Sequence, residues 1–242
     1  MSIANNINSI WVNTRHKRSL IDILLFWKKR PCPNVKLPTP LHLINSCKGL
    51  ILNNQKIKSI LFSTDIALIE NNDADAILAV YPFAPSERII KTLIEFCNKP
   101  VICGIGGGIT QGEFAINMAK KAQGLGASAV IVNQPFKNED IAAVKQHINI
   151  PIISSVSTLN FDFKARIEAG VSCFNVTGGA ETQKIVDYIK ATFPNFPIIS
   201  TGGKTIQSLK SITDKKINAV ILTPPSNGDL FRSIMDGYRE TE

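Results

Sequence analysis

Eight short apolar runs, each followed by a segment of helical periodicity, constrain the fold of this chain more than any other feature. The runs are continuous rather than alternating, which indicates strands buried on both faces, as in a parallel sheet covered by helices. Three runs begin with a proline (Pro100, Pro151, Pro197), a residue that ends the preceding helix and is tolerated at the first position of a strand. The runs are KSILFST (58–64), ADAILAVYP (74–82), PVICGIGGG (100–108), SAVIVN (128–133), PIISSVS (151–157), CFNVTGG (173–179), PIISTGG (197–203) and NAVILTPPS (218–226).

Eight strand–helix units in residues 58–242 predict a single TIM (β/α)8 barrel of the α/β class. A doubly wound open sheet is the alternative. Residues 1–57 then form an N-terminal extension that we expect to pack on the barrel, covering its bottom or flanking the first strand. Within the extension, the segment KGLILNNQKI predicts extended chain or a short hairpin with Asn53-Asn54 at the turn.

The positive charge of the chain is concentrated in this extension. Residues 1–58 hold ten Lys or Arg and one acid, Asp22, whereas the remainder holds 17 basic and 18 acidic residues. The formal net charge of +8 is therefore a property of the extension. We do not expect the barrel itself to bind nucleic acid.

The segment NTRHKRSLIDILLFWKKR (13–30) predicts an amphipathic helix with basic ends. Packing on the barrel, attachment to an anionic membrane surface and a basic targeting peptide are the three interpretations. We expect no secretory signal, because Asp22 interrupts the short apolar stretch, and no apolar stretch approaches the ~20 residues that span a bilayer. The expected location is the cytoplasm, and a homo-oligomer is compatible with the sequence.

Cysteine and histidine spacing predicts no metal site. The five cysteines (Cys32, Cys47, Cys97, Cys103, Cys173) form no CxxC pair, and the three histidines lie far apart in the chain. Scattered cysteines in apolar runs are typical of reduced, buried thiols, and we interpret Cys173 as an inert core thiol.

Polar residues at the carboxyl ends of the strands are the candidates for chemistry, because TIM barrels build their active sites there. Asp65 is the carboxylate that directly follows a predicted strand, so it is either a general acid or base or a helix cap. Tyr81 is an acid, a stacking surface or a core aromatic residue. Asn133 and Asn175 are neutral and suit hydrogen bonding to a carbonyl or hydroxyl group.

The loops after the seventh and eighth predicted strands, TGGKT and TPPSNG, predict a phosphate or carboxylate site. Glycine lets a backbone approach a ligand, and a helix N-terminus favours an anion. The alternative is that the diglycine only allows a tight turn. The residues assigned to this anion site are Thr201, Gly202, Gly203, Lys204, Ser226 and Asn227.

Glycines after two other strands are further points of close approach. Gly107 lies within GIGGG, which is not a dinucleotide-binding GxGxxG motif, and Gly178-Gly179 follows the sixth strand. Each pair admits a ligand or merely accommodates a tight loop at the barrel mouth.

Residues 100–205, with a Pro-led strand, EAG, a diglycine strand, FP and a second diglycine strand, resemble the 2-keto-3-deoxy-6-phosphogluconate aldolases. That resemblance implies a barrel and an anion site, but the Schiff-base lysine expected on the sixth strand is absent from SCFNVTG. Residues 58–239 more closely resemble an uncharacterised group of bacterial barrels loosely labelled hydrolases. A weaker likeness is to the glycerol-uptake antiterminator regulators.

The leading functional hypothesis is a metal-independent enzyme, lyase-like or isomerase-like, acting on a small anionic and phosphorylated metabolite without a cofactor. The alternatives are a non-catalytic sensor of a phosphorylated ligand, a hydrolase, and an FMN-dependent barrel enzyme.

Overall fold

The computed structural model describes residues 37–108, 110–202 and 205–239, and for Ile234 and Gly237 only the backbone. The amphipathic segment 13–30, together with Gly203 and Lys204, lies outside the described residues. In chain order the elements are α1 (Leu41–Ile44), β1 (Leu50–Leu52), β2 (Gln55–Ile57), β3 (Ser59–Phe62), α2 (Ile66–Glu70), β4 (Ala76–Ala79), α3 (Glu87–Phe96), β5 (Val101–Gly106), α4 (Gly112–Leu125), β6 (Ala129–Val132), α5 (Asn138–His147), β7 (Ile152–Val156), α6 (Phe163–Glu168), β8 (Cys173–Val176), a 3-10 turn (Gly179–Glu181), α7 (Thr182–Thr192), β9 (Ile198–Thr201), α8 (Ile206–Thr213), β10 (Ala219–Leu222) and α9 (Asn227–Arg239).

Strands β3 to β10 form a closed barrel in which every neighbouring pair is parallel, and β10 pairs with β3 to close it. Each predicted strand is present and is followed by a helix, so the predicted TIM barrel is confirmed and the open sheet is excluded. Closure leaves the sheet without free edges, and burial on both faces explains why the strands are continuously apolar.

Side chains inside the barrel form layers of four contributed by alternate strands, as is usual in this fold. The lowest layer is small, with Ala76, Ala129, Cys173 and Ala219 from the even-numbered strands. The next layer is bulkier and comes from the odd-numbered strands: Ile60, Ile102, Ile153 and Ile199. Small and large layers alternate, so the lower half of the barrel is a packed core rather than a pore.

A second apolar cluster lies between the strands and the surrounding helices. Helix α3 contributes Ile90 and Leu93, three residues apart, and α7 contributes Ile185 and Ile189, four residues apart. Spacings of three and four residues place one apolar stripe of each helix against the sheet and leave the opposite face for charged residues.

The antiparallel hairpin β1–β2 closes the bottom of the barrel. Its turn uses Asn53 (φ 48°) and Asn54 (φ 61°), as predicted, because asparagine tolerates the left-handed backbone better than most residues. The hairpin contributes Leu50, Leu52 and Ile57 to the inner core. Asn53 Nδ2 also donates to Ser128 Oγ, just before β6, at 2.8 Å.

Candidate functional site

A cavity of about 410 Å³ opens at the carboxyl ends of the strands, where TIM barrels have their active sites. Two further layers of inward-facing side chains line it. The deeper layer, on the even-numbered strands, is Leu78, Ile131, Asn175 and Ile221; the upper layer, on the odd-numbered strands, is Phe62, Gly104, Ser155 and Thr201. Because three of the four upper side chains are small or missing, the barrel is not filled to its mouth and a cavity remains.

Neutral hydrogen-bonding groups line the upper wall of this mouth cavity. Asn133, Thr177 and Thr223 each follow a barrel strand directly and line it, as do Tyr81 and Thr110. Among the described lining residues, Tyr81 is the one with a titratable side chain. The site is therefore arranged for hydrogen bonding rather than for ion pairing, within the part of the mouth that the structure describes.

Asn175 is the most deeply buried polar side chain of the mouth cavity. It is 4% exposed, and its Nδ2 donates to Ser155 Oγ at 3.0 Å. Its Oδ1 is buried without a hydrogen-bond partner among the described residues. A buried acceptor left without a donor is uncommon in proteins and costs free energy.

Tyr81 lies on the β4–α3 connection, and its hydroxyl oxygen accepts a hydrogen bond from the backbone N–H of Ser86 at 2.7 Å. Burial raises the pKa of the Tyr81 phenol above its ordinary value, and the Ser86 bond opposes this only in part. The phenol is therefore protonated at neutral pH, and its proton can be donated into the cavity.

Asn133 is placed by a glycine on the neighbouring connection. A Cβ atom at Gly107 would lie 2.6 Å from Asn133 Nδ2, so only glycine allows this close approach. The amide of Gly107 donates to Thr110 O at 3.0 Å, so it is already used within the loop. In the structure Gly107 makes room for Asn133 and has no N–H left for a ligand.

Asp65 does not line the mouth cavity. Its Oδ1 accepts from the backbone N–H groups of Ala67 (2.9 Å) and Leu68 (3.3 Å) at the start of α2. Its Oδ2 accepts from Asn227 Nδ2. The contacts of this carboxylate are those of a helix cap, the second of the two interpretations given by the sequence.

The described residues of the predicted anion site mostly contact residues outside that set. The amide of Gly202 donates to Ile221 O at 2.9 Å, and a Cβ atom at Gly202 would lie 2.7 Å from Leu209 Cδ1. Ser226 exchanges hydrogen bonds with Asp229 at the start of α9, donating at 2.6 Å and accepting at 3.1 Å. Gly202 thus permits α8 to pack closely on the sheet, which is the tight-turn interpretation for that glycine.

Gly178 and Gly179 serve packing and turn geometry. A Cβ atom at Gly178 would lie 2.5 Å from Ile185 Cδ1, and Gly179 has a left-handed φ of 57°. Glycine at position 178 thus leaves room for Ile185, and glycine at position 179 suits the left-handed backbone, so both have a structural reason independent of any ligand.

A second, polar cleft of about 790 Å³ adjoins the mouth cavity. Thr177 and Thr201 line both spaces. The cleft lies between the β8–α7 and β9–α8 connections and is lined further by Gly179, Ala180, Thr182, Gln183, Thr205, Gln207, Ser208, Ser211 and Ile212. Of the anion-binding residues predicted for the β9 loop, Thr201 therefore borders both the cleft and the mouth cavity.

Arg166, on α6, is a supporting residue that sequence reasoning missed. It is 4% exposed and donates to the backbone oxygens of Phe136 (2.6 Å) and Gln134 (2.8 Å), and its guanidinium lies 5.0 Å from the centre of the Phe161 ring. These bonds hold the β6–α5 connection that carries Asn133. No sequence signal distinguishes Arg166 from a surface arginine, since it lies in an ordinary amphipathic segment.

The described cysteines are free thiols, and burial raises their pKa values. The pKa of Cys47 is raised to about 11, and those of Cys103 and Cys173 to about 12. Such thiols are protonated and unreactive at neutral pH. Within the described ranges, no group of three or more His, Cys, Asp or Glu side chains is placed to hold a metal ion.

No protein-family model and no curated protein matches the chain. Solved structures do match. Phosphoenolpyruvate phosphomutase from Streptomyces platensis subsp. rosaceus has a TM-score of 0.58 at 13% identity, over 82% of this chain and 83% of that one. Phosphonopyruvate hydrolase has a TM-score of 0.56 at 16% identity, over 83% of this chain and 84% of that one. Dihydrodipicolinate synthase from Aquifex aeolicus has a TM-score of 0.53 at 20% identity, over 68% of this chain and 69% of that one.

These neighbours are TIM-barrel enzymes: a mutase, a hydrolase and a synthase. At such identities the likeness shows the fold alone. It supports the resemblances drawn from the sequence at the level of the barrel, while the aldolase-like and hydrolase-labelled families remain predictions. Among the residues that the structure describes, no helix has both the length and the apolar character needed to cross a membrane.

Proposed function

We propose that this chain is an enzyme acting on a small anionic, phosphorylated metabolite bound at the barrel mouth, with lyase-like or isomerase-like chemistry and no resident metal. The observation that carries the proposal is the mouth cavity itself: an apolar floor containing one buried amide, Asn175, beneath a ring of neutral donors and acceptors. Two structural neighbours are named for acting on phosphoenolpyruvate and phosphonopyruvate, and the proposal takes the class of substrate from them.

The carbon chain of the substrate would lie against Leu78, Ile131 and Ile221. The side-chain amides of Asn133 and Asn175 are the groups suited to hold a carbonyl or hydroxyl oxygen. Tyr81, whose phenol is protonated at neutral pH, would donate its proton to that oxygen while a water molecule takes the proton from the neighbouring carbon; exchange with water would then return the proton to Tyr81.

The phosphate would lie in the polar cleft. Thr177 and Thr201 border both spaces, so a ligand in the mouth can extend past them to the first turn of α8. The backbone amides of Ile206 and Gln207 occupy the first positions of that helix and have no partner within it, so they would donate to an anion placed there. The proposal retains Gly203 and Lys204 as further anion-binding residues, although both lie outside the described part of the chain.

The donor set around the mouth cavity argues for chemistry without a metal. Mg²⁺ prefers carboxylate oxygens, and zinc is held by thiolate, imidazole or carboxylate ligands. The described lining of the cavity consists of amide, hydroxyl, phenol and apolar groups.

The test combines binding with isotope exchange. Wild-type protein is screened by thermal shift against inorganic phosphate, glycerol 3-phosphate, dihydroxyacetone phosphate and phosphoenolpyruvate. Ligands that bind are then incubated with the protein in D₂O and followed by proton NMR. We expect protein-dependent exchange at a carbon next to a carbonyl group, or conversion, slowed roughly 100-fold or more in Tyr81→Phe because a general acid contributes at least that much.

Tyr188→Phe is the matched control, because Tyr188 packs against Phe163 on the outer helices, away from the mouth. The proposal is wrong if none of the four compounds stabilises the protein at millimolar concentration, or if Tyr81→Phe retains the wild-type rate.

A non-catalytic sensor is the second candidate, favoured by the single titratable side chain in the described cavity lining. Binding of a phosphorylated compound with neither exchange nor conversion would identify it. A yellow purified protein would instead identify the FMN alternative.

A further inference from the structure

We propose that Asn175 and Ser155 form a recognition pair that binds an uncharged hydroxyl group of the ligand at the cavity floor. The ligand then enters with its uncharged hydroxylated end first and keeps its anionic group at the rim. The placing of the phosphate at the rim rests on the proposed function. The hydroxyl contact with Asn175 and Ser155 does not depend on the ligand's charge.

Asn175 is polar in a layer where every other side chain is aliphatic. Asn175 shares its layer with Leu78, Ile131 and Ile221, and each of these neighbours buries hydrocarbon only. Packing alone would be satisfied by a fourth aliphatic residue at this height. An amide at this position, with an unpaired Oδ1, destabilises the unliganded protein and is explained by a ligand that supplies the missing hydrogen bond.

The two side chains together match a hydroxyl group. Asn175 Nδ2 donates to Ser155 Oγ, so Asn175 Oδ1 is left to accept and the Ser155 proton is left to donate. With the amide turned over, Ser155 donates to Oδ1 and Nδ2 is left to donate. In both orientations one amide atom remains for the ligand, and a hydroxyl group can both donate and accept.

A charged group does not fit at this depth. No cation or anion is among the described residues that line the floor, and an unpaired charge removed from water is strongly disfavoured. The floor therefore selects the uncharged end of a ligand, and the cleft beside Thr177 and Thr201 takes its charge.

A second buried asparagine shows what a structural amide is like in the same protein. Asn72 is 3% exposed, and its Nδ2 donates to Leu68 O (3.1 Å) and Ile69 O (2.5 Å). Its Oδ1 accepts from the backbone N–H of Ala74 at 2.9 Å. Every polar atom of the Asn72 side chain is thus used to hold the α2–β4 connection, whereas Asn175 keeps one atom unused.

The first experiment compares urea unfolding of the unliganded wild type with Asn175→Leu and the matched variant Asn72→Leu. We expect Asn175→Leu to raise the midpoint, because leucine completes the aliphatic layer, and Asn72→Leu to lower it. If Asn175→Leu lowers the midpoint as much as Asn72→Leu does, Asn175 is a structural residue and the inference is overturned.

The second experiment measures calorimetric affinity for three probes. Hydroxyacetone is uncharged and hydroxylated, propyl phosphate is anionic without a hydroxyl group, and dihydroxyacetone phosphate has both. We expect Asn175→Leu to lower the affinity for hydroxyacetone and for dihydroxyacetone phosphate at least tenfold. The affinity for propyl phosphate should stay the same.

The outcomes separate this inference from the proposed function. Suppose that hydroxyacetone binds wild type and that neither propyl phosphate nor dihydroxyacetone phosphate binds more tightly than hydroxyacetone. The phosphate site of the proposed function is then refuted, whereas the floor contact is supported. If dihydroxyacetone phosphate binds wild type and Asn175→Leu equally, or if neither hydroxylated probe binds wild type, the floor contact is refuted.

Discussion

Asn227 donates its side-chain amide to Asp65, and this hydrogen bond joins the last strand–helix connection of the barrel to the first. The sequence assigned these two residues to different tasks, one to catalysis and the other to anion binding. In the structure each is the other's partner, above the seam where β10 pairs with β3. The bond therefore supports closure of the barrel at its mouth.

Asp65→Ala is expected to lower the free energy of unfolding by about 1–2 kcal/mol, because the cap of α2 and the bond to Asn227 are both lost. A double-mutant cycle with Asn227→Ala should give a coupling of about 0.5–1.5 kcal/mol. Asp162→Ala is the control, since Asp162 caps α6 through Ala165 without reaching another strand–helix connection. A fully stable Asp65→Ala variant that has lost all turnover would instead make Asp65 catalytic.

Gly202→Ala is expected to destabilise the protein by about 1–3 kcal/mol, because the added methyl group would overlap Leu209 Cδ1 and push α8 from the sheet. Chemical denaturation measures this effect without any ligand. Gly124→Ala, with nothing within 4 Å of its new Cβ atom in α4, should stabilise by about 0.5–1 kcal/mol. Equal effects of the two substitutions would contradict the packing role of Gly202.

Arg166→Lys is expected to cost about 1.5–3 kcal/mol, because an ammonium group cannot bridge the carbonyl oxygens of Phe136 and Gln134 as the guanidinium does. Hydrogen exchange should quicken in residues 133–137, which carry Asn133, and remain unchanged in α3. Exposed Arg232 on α9 provides the control, with Arg232→Lys within about 0.5 kcal/mol of wild type. Unchanged exchange in residues 133–137 would show that Arg166 does not hold the connection.

Stability is expected to fall as the pH rises above 9. Burial raises the pKa values of Cys103 and Cys173 to about 12 from an ordinary value of 9.0, so between these limits the unfolded chain loses protons that the folded protein keeps. Each thiol then lowers the free energy of unfolding by up to about 1.4 kcal/mol per pH unit. The double variant Cys103→Ala/Cys173→Ala should show a shallower slope in urea titrations between pH 9 and 11, and an identical slope would disprove the assignment.

Local sequence was sufficient to predict the barrel, because the apolar run of each strand by itself indicates that the strand is buried. The run AVIV of β6, for example, is apolar at every position and needs no knowledge of its neighbours. Strand-end position also brought Tyr81, Asn133 and Asn175 to the mouth, since all strands of the barrel point the same way.

Contacts between distant segments were beyond the reach of the same reasoning. That Asp65 meets Asn227, or that Arg166 turns inward to Gln134, depends on side-chain geometry across 162 and 32 positions of the chain. The diglycine of β9 illustrates the difficulty within a single motif. The sequence around Gly202 would be the same whether the missing side chain makes room for a phosphate or for Leu209. Only the distance from Gly202 to Leu209 in the structure distinguishes the two roles.

The segment that leads into the hairpin at the bottom of the barrel contacts the segment that leads into the last strand, so this part of the fold forms only after nearly the whole chain has been synthesised. The backbone N–H groups of Lys48 and Gly49 donate to the carbonyl oxygens of Ile217 and Asn218, which lead into β10. A ribosome releases β3 long before β10, so β3 waits with an unpaired edge while the intervening strands are made. Barrel closure can therefore occur only after β10 has left the ribosome, and the edge of β3 stays unpaired until then.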